Sequence, residues 1–113
     1  MKVRNVLHTK KDFDKVYKSG QSKATKYLVV LYRKNGLGTN RISFLASKKV
    51  GNSVQRNRAR RVMKEAYRLT APDLDLKTGF DLVIVARKSI GDAKTGDVMK
   101  VLAPALRKTG VVR

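Results

Sequence analysis

Phe13, Val16 and Tyr17 recur at i, i+3 and i+4, the spacing of one helical face. Ahead of them Thr9-Lys10-Lys11-Asp12 reads as a capping box with Asp in the usual Glu position, and Gly20 supplies a stop. From Lys26 to Lys34 the chain is β-rich and apolar on both faces. Asn35-Gly36-Leu37-Gly38-Thr39-Asn40 is a turn, after which Ile42 and Phe44 alternate with Ser43 between Arg41 and Ser47. These two runs predict an antiparallel hairpin. The period turns helical again from about Val54, with Ala59, Val62, Met63, Ala66 and Leu69 expected to face the core. Asn52 or Ser53 caps this helix, Gln55 stands three residues after Asn52, and Pro72 lies just past its end. Asp73 to Gly79 is a polar connection, and Phe80 to Ala86 is the most apolar strand of the chain. Val98, Leu102, Ala105 and Leu106 form a last helical stripe closed by Gly110. Pro104 within it cannot donate to the Lys100 carbonyl, which predicts a kink or an early end. Helix, two strands, helix, strand, helix, with no repeat or linker, predicts an α+β fold. The expected architecture is a single domain over 1–113, a small sandwich of helices on a mostly antiparallel sheet.

Charge adds a partner to this fold. Lys and Arg number 27 against 8 acids, a net +19, and that self-repulsion opposes folding unless a polyanion relieves it. A hydrophobic fraction of 42% rules against a disordered basic tail. The cations concentrate between Ser47 and Arg68, where only Glu65 opposes them. At roughly 100° per residue, Arg56, Asn57, Arg60, Arg61, Lys64 and Arg68 fall opposite the apolar stripe. Guanidinium forks match phosphate oxygens, so the row reads as a phosphate-binding ridge. Solvated helix faces, the bland alternative, usually mix their signs. Lys48, Lys49, Gly51 and Asn52 precede the helix, and its N-terminal N–H groups are themselves a phosphate site.

Chemistry of its own is hard to find. The acids are Asp12, Asp14, Glu65, Asp73, Asp75, Asp81, Asp92 and Asp97, and they are scattered. His8 stands alone near a helix start, and no metal-ligand spacing, nucleophile elbow or phosphate loop occurs. A nuclease needs clustered carboxylates or an acid–base pair, so no catalytic residue is expected on the protein. Without cysteine there is neither disulfide nor thiolate metal site. No apolar run approaches a membrane span and no secretory segment is visible, so the cytoplasm is the expected location. A membrane-surface helix fits poorly, because the apolar face is rich in Ala and Val.

The string Ser47-Lys48-Lys49-Val50-Gly51-Asn52, followed by Arg56-Asn57-Arg58 and Ala59-Arg60-Arg61, resembles the protein component of bacterial ribonuclease P. Phe13 to Gly20 resembles that family's first helix, and Phe80 to Lys88 its strand after the arginine-rich helix. The resemblance implies a protein that assists a catalytic RNA in removing the 5′ leader from precursor tRNA, with magnesium bound mainly by RNA. It implies an extra short strand near Ser22 to Ala24, a left-handed crossover at the arginine-rich helix and no required protein partner. Lys48, Lys49, Asn52, Arg56, Asn57, Arg58, Arg60, Arg61, Lys64 and Arg68 would then meet the RNA subunit. Phe13 and Tyr17 would grip the leader, although core packing is the competing reading of both. Leu31 occupies the position where the family usually places a third aromatic, and Tyr27 shares its face by alternation. A ribosomal protein or RNA chaperone on a similar small fold is the rival.

Overall fold

The computed structural model describes residues 10–113, so the Thr9 cap and His8 lie outside the described residues. Three helices, α1 (Lys10–Ser19), α2 (Ser53–Thr70) and α3 (Thr95–Lys108), accompany four strands. These are β1 (Gln21–Ala24), β2 (Leu28–Lys34), β3 (Arg41–Leu45) and β4 (Phe80–Ala86). They form one sheet in the order β1-β2-β4-β3. The short strand that the resemblance implied is β1, which pairs antiparallel with β2.

The hairpin expected of β2 and β3 does not form. β4 enters between them, antiparallel to β2 and parallel to β3. A strand apolar on both faces needs cover on both, which the central position between α1 and the α2/α3 layer supplies, and Leu82, Val83 and Ile84 are fully buried there. Asn35 and Asn40, which read as turn formers, hold the gap open. The Asn35 N–H donates to the Gly79 carbonyl (2.8 Å), and Asn40 Oδ1 accepts from the Phe80 N–H (2.8 Å). Asn40 Nδ2 donates to the Lys77 carbonyl (2.7 Å).

Alternation along the strands divides the core in two. Leu28, Val30, Ile42, Leu82 and Ile84 face α2 and α3, packing with Ala59, Met63, Ala66, Val98 and Leu102. The opposite face is smaller: Val16 of α1 sits over Val83, bordered by Phe13, Leu31, Leu45 and Val85. Gly20 ends α1 by close approach, since a Cβ there would stand 2.3 Å from the Val16 carbonyl oxygen and 2.8 Å from that of Tyr32.

Two helical expectations need correction. On α2 the buried residues are Ala59, Met63, Ala66, Tyr67 and Thr70, while Leu69 is exposed. The buried arc is turned toward Tyr67, whose ring meets Phe44 edge-on with centroids 5.9 Å apart. A large aromatic removes more apolar surface than a leucine and sets the rotation. Pro104 does not end α3, which continues to Lys108. Pro104 and Lys100 are both exposed, so the unpaired carbonyl lies on the solvent side of the helix.

Candidate nucleic-acid interface

A reciprocal cap starts α2. Asn52 Oδ1 accepts from the Gln55 N–H (2.9 Å) and Gln55 Oε1 accepts from the Asn52 N–H (2.8 Å). Gly51, at φ +147°, is required by this return stroke, because a Cβ would stand 2.0 Å from Gln55 Oε1. Asn52 is therefore occupied as a cap. Lys48 and Lys49 lie in the turn just before it, exposed beside the helix N-terminus.

Along α2, Arg61 and Lys64 are exposed and Arg56 is half-buried, and none of the three takes an intramolecular side-chain partner among the described residues. Arg60 donates to Asn57 Oδ1, which orients both groups on the same turn. Arg68 closes on Glu65, with Nε 3.0 Å from Oε2. That hydrogen bond from Arg68 holds the Glu65 carboxyl below its usual value and raises the guanidinium, so the pair stays ionised at neutral pH. Among the described residues Arg56, Arg60, Arg61 and Lys64 form no ion pair.

Arg58 stands apart from this ridge. At roughly 100° per residue it falls on the flank shared with Val62 and Glu65, facing the segment between β4 and α3. Its guanidinium donates to the carbonyls of Gly91 (2.9 Å), Asp92 (3.5 Å) and Ala93 (2.9 Å). The position expected to meet RNA is thus a latch, and Arg, with its planar fork, is the side chain that can hold several carbonyls together. Arg58→Ala is expected to speed amide exchange across 91–94 and to cost ~1–2 kcal/mol of stability. The salt dependence of RNA binding should stay unchanged. A slope lower by ~0.7–0.9 with full stability would instead place Arg58 on a phosphate.

On the other face α1 leaves a groove. The register aligns Val29, Val85 and Leu45 in one row, and Leu31, Val83 and Ser43 in the next. α1 covers Val83 completely but leaves Val29, Val85 and Leu45 half-buried, an apolar floor beside Phe13. Leu31 belongs to this face, as expected. Tyr27 does not: it precedes β2 instead of extending it, and packs against the core under α2 and α3. The Lys26 ammonium lies 5.2 Å from its ring centroid. Tyr17 is 53% exposed, one residue from Val16 at 1%, so it contributes little to the core.

Among the described residues the donor set does not suit a protein-held metal. Among the described residues no three His, Cys, Asp or Glu side chains gather in one place. Asp81 is fully buried and engaged by Arg41, and Asp75 is tied to Arg113. No helix of the described residues is long and apolar enough to cross a membrane.

A one-sided cationic helix on a small α+β scaffold, with an apolar groove on the opposite face, defines an RNA-binding protein of the ribonucleoprotein type. The ribonuclease P family model matches residues 1–110, and the chain belongs to that family. The ribonuclease P protein component of Clostridioides difficile is 45% identical over 100 residues, covering 88% of this chain and 87% of its own. That of a Thermoanaerobacter species is 41% identical over 108 residues, covering 94% and 91%. Among solved structures, the Staphylococcus aureus RNase P protein superposes with TM-score 0.82 at 26% identity, covering 97% of this chain and 99% of its own. The Thermotoga maritima protein gives 0.79 at 29% identity, with 93% and 97% covered. The role is therefore that of the protein subunit of the tRNA-processing endoribonuclease, partnered by an RNA subunit. The relatives support this and not the ribosomal-protein or chaperone alternative.

Proposed function

We propose that α2 anchors the RNA subunit while the groove between α1 and the sheet holds the single-stranded 5′ leader of precursor tRNA. Tyr17 carries this reading. A tyrosine half in solvent beside a fully buried valine is a surface for a base to stack on, and every base has a face to offer it. Phe13 lines the same groove from α1 and Leu31 from β2. Aliphatic Leu31 gives packing where an aromatic would give stacking, so Tyr17 and Phe13 take the larger share. Lys48, Lys49, Arg56, Arg60, Arg61 and Lys64 supply phosphate contacts at the other surface, with Arg58 and Asn52 holding the frame that presents them.

Cleavage belongs to the RNA subunit in this reading, with magnesium carried by RNA, and no second protein is required. The cytoplasm, where tRNA precursors are made, is the corresponding location. The test adds purified protein to precursor tRNA and magnesium, then adds the RNA subunit. Site-specific cleavage is expected only after the second addition. Robust cleavage by RNA-free protein would contradict the assignment of catalysis to RNA.

A further inference from the structure

We propose a second RNA-phosphate site at the far end of the sheet, in a cavity of about 710 Å³ flanked by Arg33, Lys34 and Lys77. None of the α2 arginines lines it. Its walls are the ends of α1 and α3, the start of β1, the last residues of β2 and the approach to β4. β4 runs from this end toward the end where α2 begins, a length of about 20 Å at ~3.3 Å per residue. No residue of α2 lines the cavity, and its volume lies in the ~300–1,000 Å³ range of ligand sites.

Three observations point to phosphate. No carboxylate lines the cavity. The two nearest in register and sequence are already engaged: Asp81, opposite Arg33, accepts from Arg41 and Asn35, and Asp75 accepts from Arg113. Arg33, Lys34 and Lys77 form no ion pair among the described residues.

The Arg33 guanidinium and the Lys77 backbone are also held in place. Arg33 Nε donates to Ser19 Oγ (2.9 Å), which leaves its terminal nitrogens for an incoming oxygen. Lys77 is clamped through its backbone, its N–H donating to the Val111 carbonyl (2.7 Å) and its carbonyl accepting from Asn40 Nδ2 (2.7 Å). Tyr32 Oη donates to Gln21 Oε1 (2.9 Å), fixing the wall between them. A fixed guanidinium beside two ammonium groups matches a phosphodiester better than a base. RNA is the occupant because RNA is the shown partner of this chain. The inference rests on family membership and not on the leader groove.

Lys34→Ala/Lys77→Ala tests it, since both side chains are exposed and free of hydrogen bonds among the described residues. Two equilibria are titrated against salt: protein with the RNA subunit, and holoenzyme with precursor tRNA. One log–log slope should fall by ~1.4–1.8, two phosphates at ~0.7–0.9 each, and the equilibrium affected identifies which RNA enters. Lys100→Ala/Arg107→Ala, on the exposed face of α3, is the control for bulk charge and should leave both slopes in place. Unchanged slopes in the folded cavity variant, or an equal fall in the control, would overturn the proposal.

Discussion

Replacing Tyr17 by alanine is expected to weaken holoenzyme binding of precursor tRNA by roughly five- to a hundredfold, the loss of one stacked base at ~1–3 kcal/mol. Mature tRNA, which has no leader, should bind almost as before. The contrast is interpretable because Tyr17 is 53% exposed. Truncation of a surface side chain shifts stability by no more than ~0.5 kcal/mol, so the variant stays folded while the stacking surface is removed. Thermal unfolding of the variant, measured beside both binding constants, checks that premise. Equal losses for the two tRNAs in a fully folded variant would remove Tyr17 from the leader groove.

Asp81→Ala is expected to give the largest loss of stability. The carboxylate is fully buried and accepts from Arg41 Nε (2.8 Å), an Arg41 terminal nitrogen (2.7 Å) and Asn35 Nδ2 (2.9 Å). Those bonds join β4 to β3 and to the loop that opens for β4. Removing one member of a buried ion pair costs ~3–5 kcal/mol. Arg41 is 24% exposed at its side chain, so part of its charge can reach water and the lower end applies. A loss of about 3 kcal/mol in a domain near this size lowers Tm by about ten degrees or more. A Tm within about two degrees of the parent would show that the network is dispensable.

Much of this fold is legible from periodicity. The apolar run delimits β4, the spacing of its stripe marks α3, and Asn52 with Gln55 marks the α2 cap. Strand order is not legible in this way, because the 35–40 segment carries the Asn and Gly residues that a hairpin turn favours. What decides against the hairpin is remote: β4 needs cover on both faces, and Asn35 and Asn40 commit their hydrogen bonds largely to residues 77–81. At the candidate site, charge clustering locates the ridge on α2 without separating ligands from scaffolding. Arg58 looks like its neighbours in sequence, and only the three carbonyls of 91–93 reveal its latch. Tyr27 fails for a local reason, since alternation holds only inside a strand and β2 begins at Leu28. The far cavity has no sequence signature, because the order β1-β2-β4-β3 is what brings Arg33 and Lys77 together.

The central claim is that the exposed cations of α2 hold the RNA subunit through phosphate. Its most direct test is the salt dependence of RNA-subunit binding by Arg61→Ala/Lys64→Ala, both surface positions outside the Arg58 latch and the core. The log–log slope should fall by ~1.4–1.8, about 0.7–0.9 for each phosphate no longer neutralised, with weaker binding at every salt concentration. A folded variant that keeps the parent slope and affinity would contradict the claim.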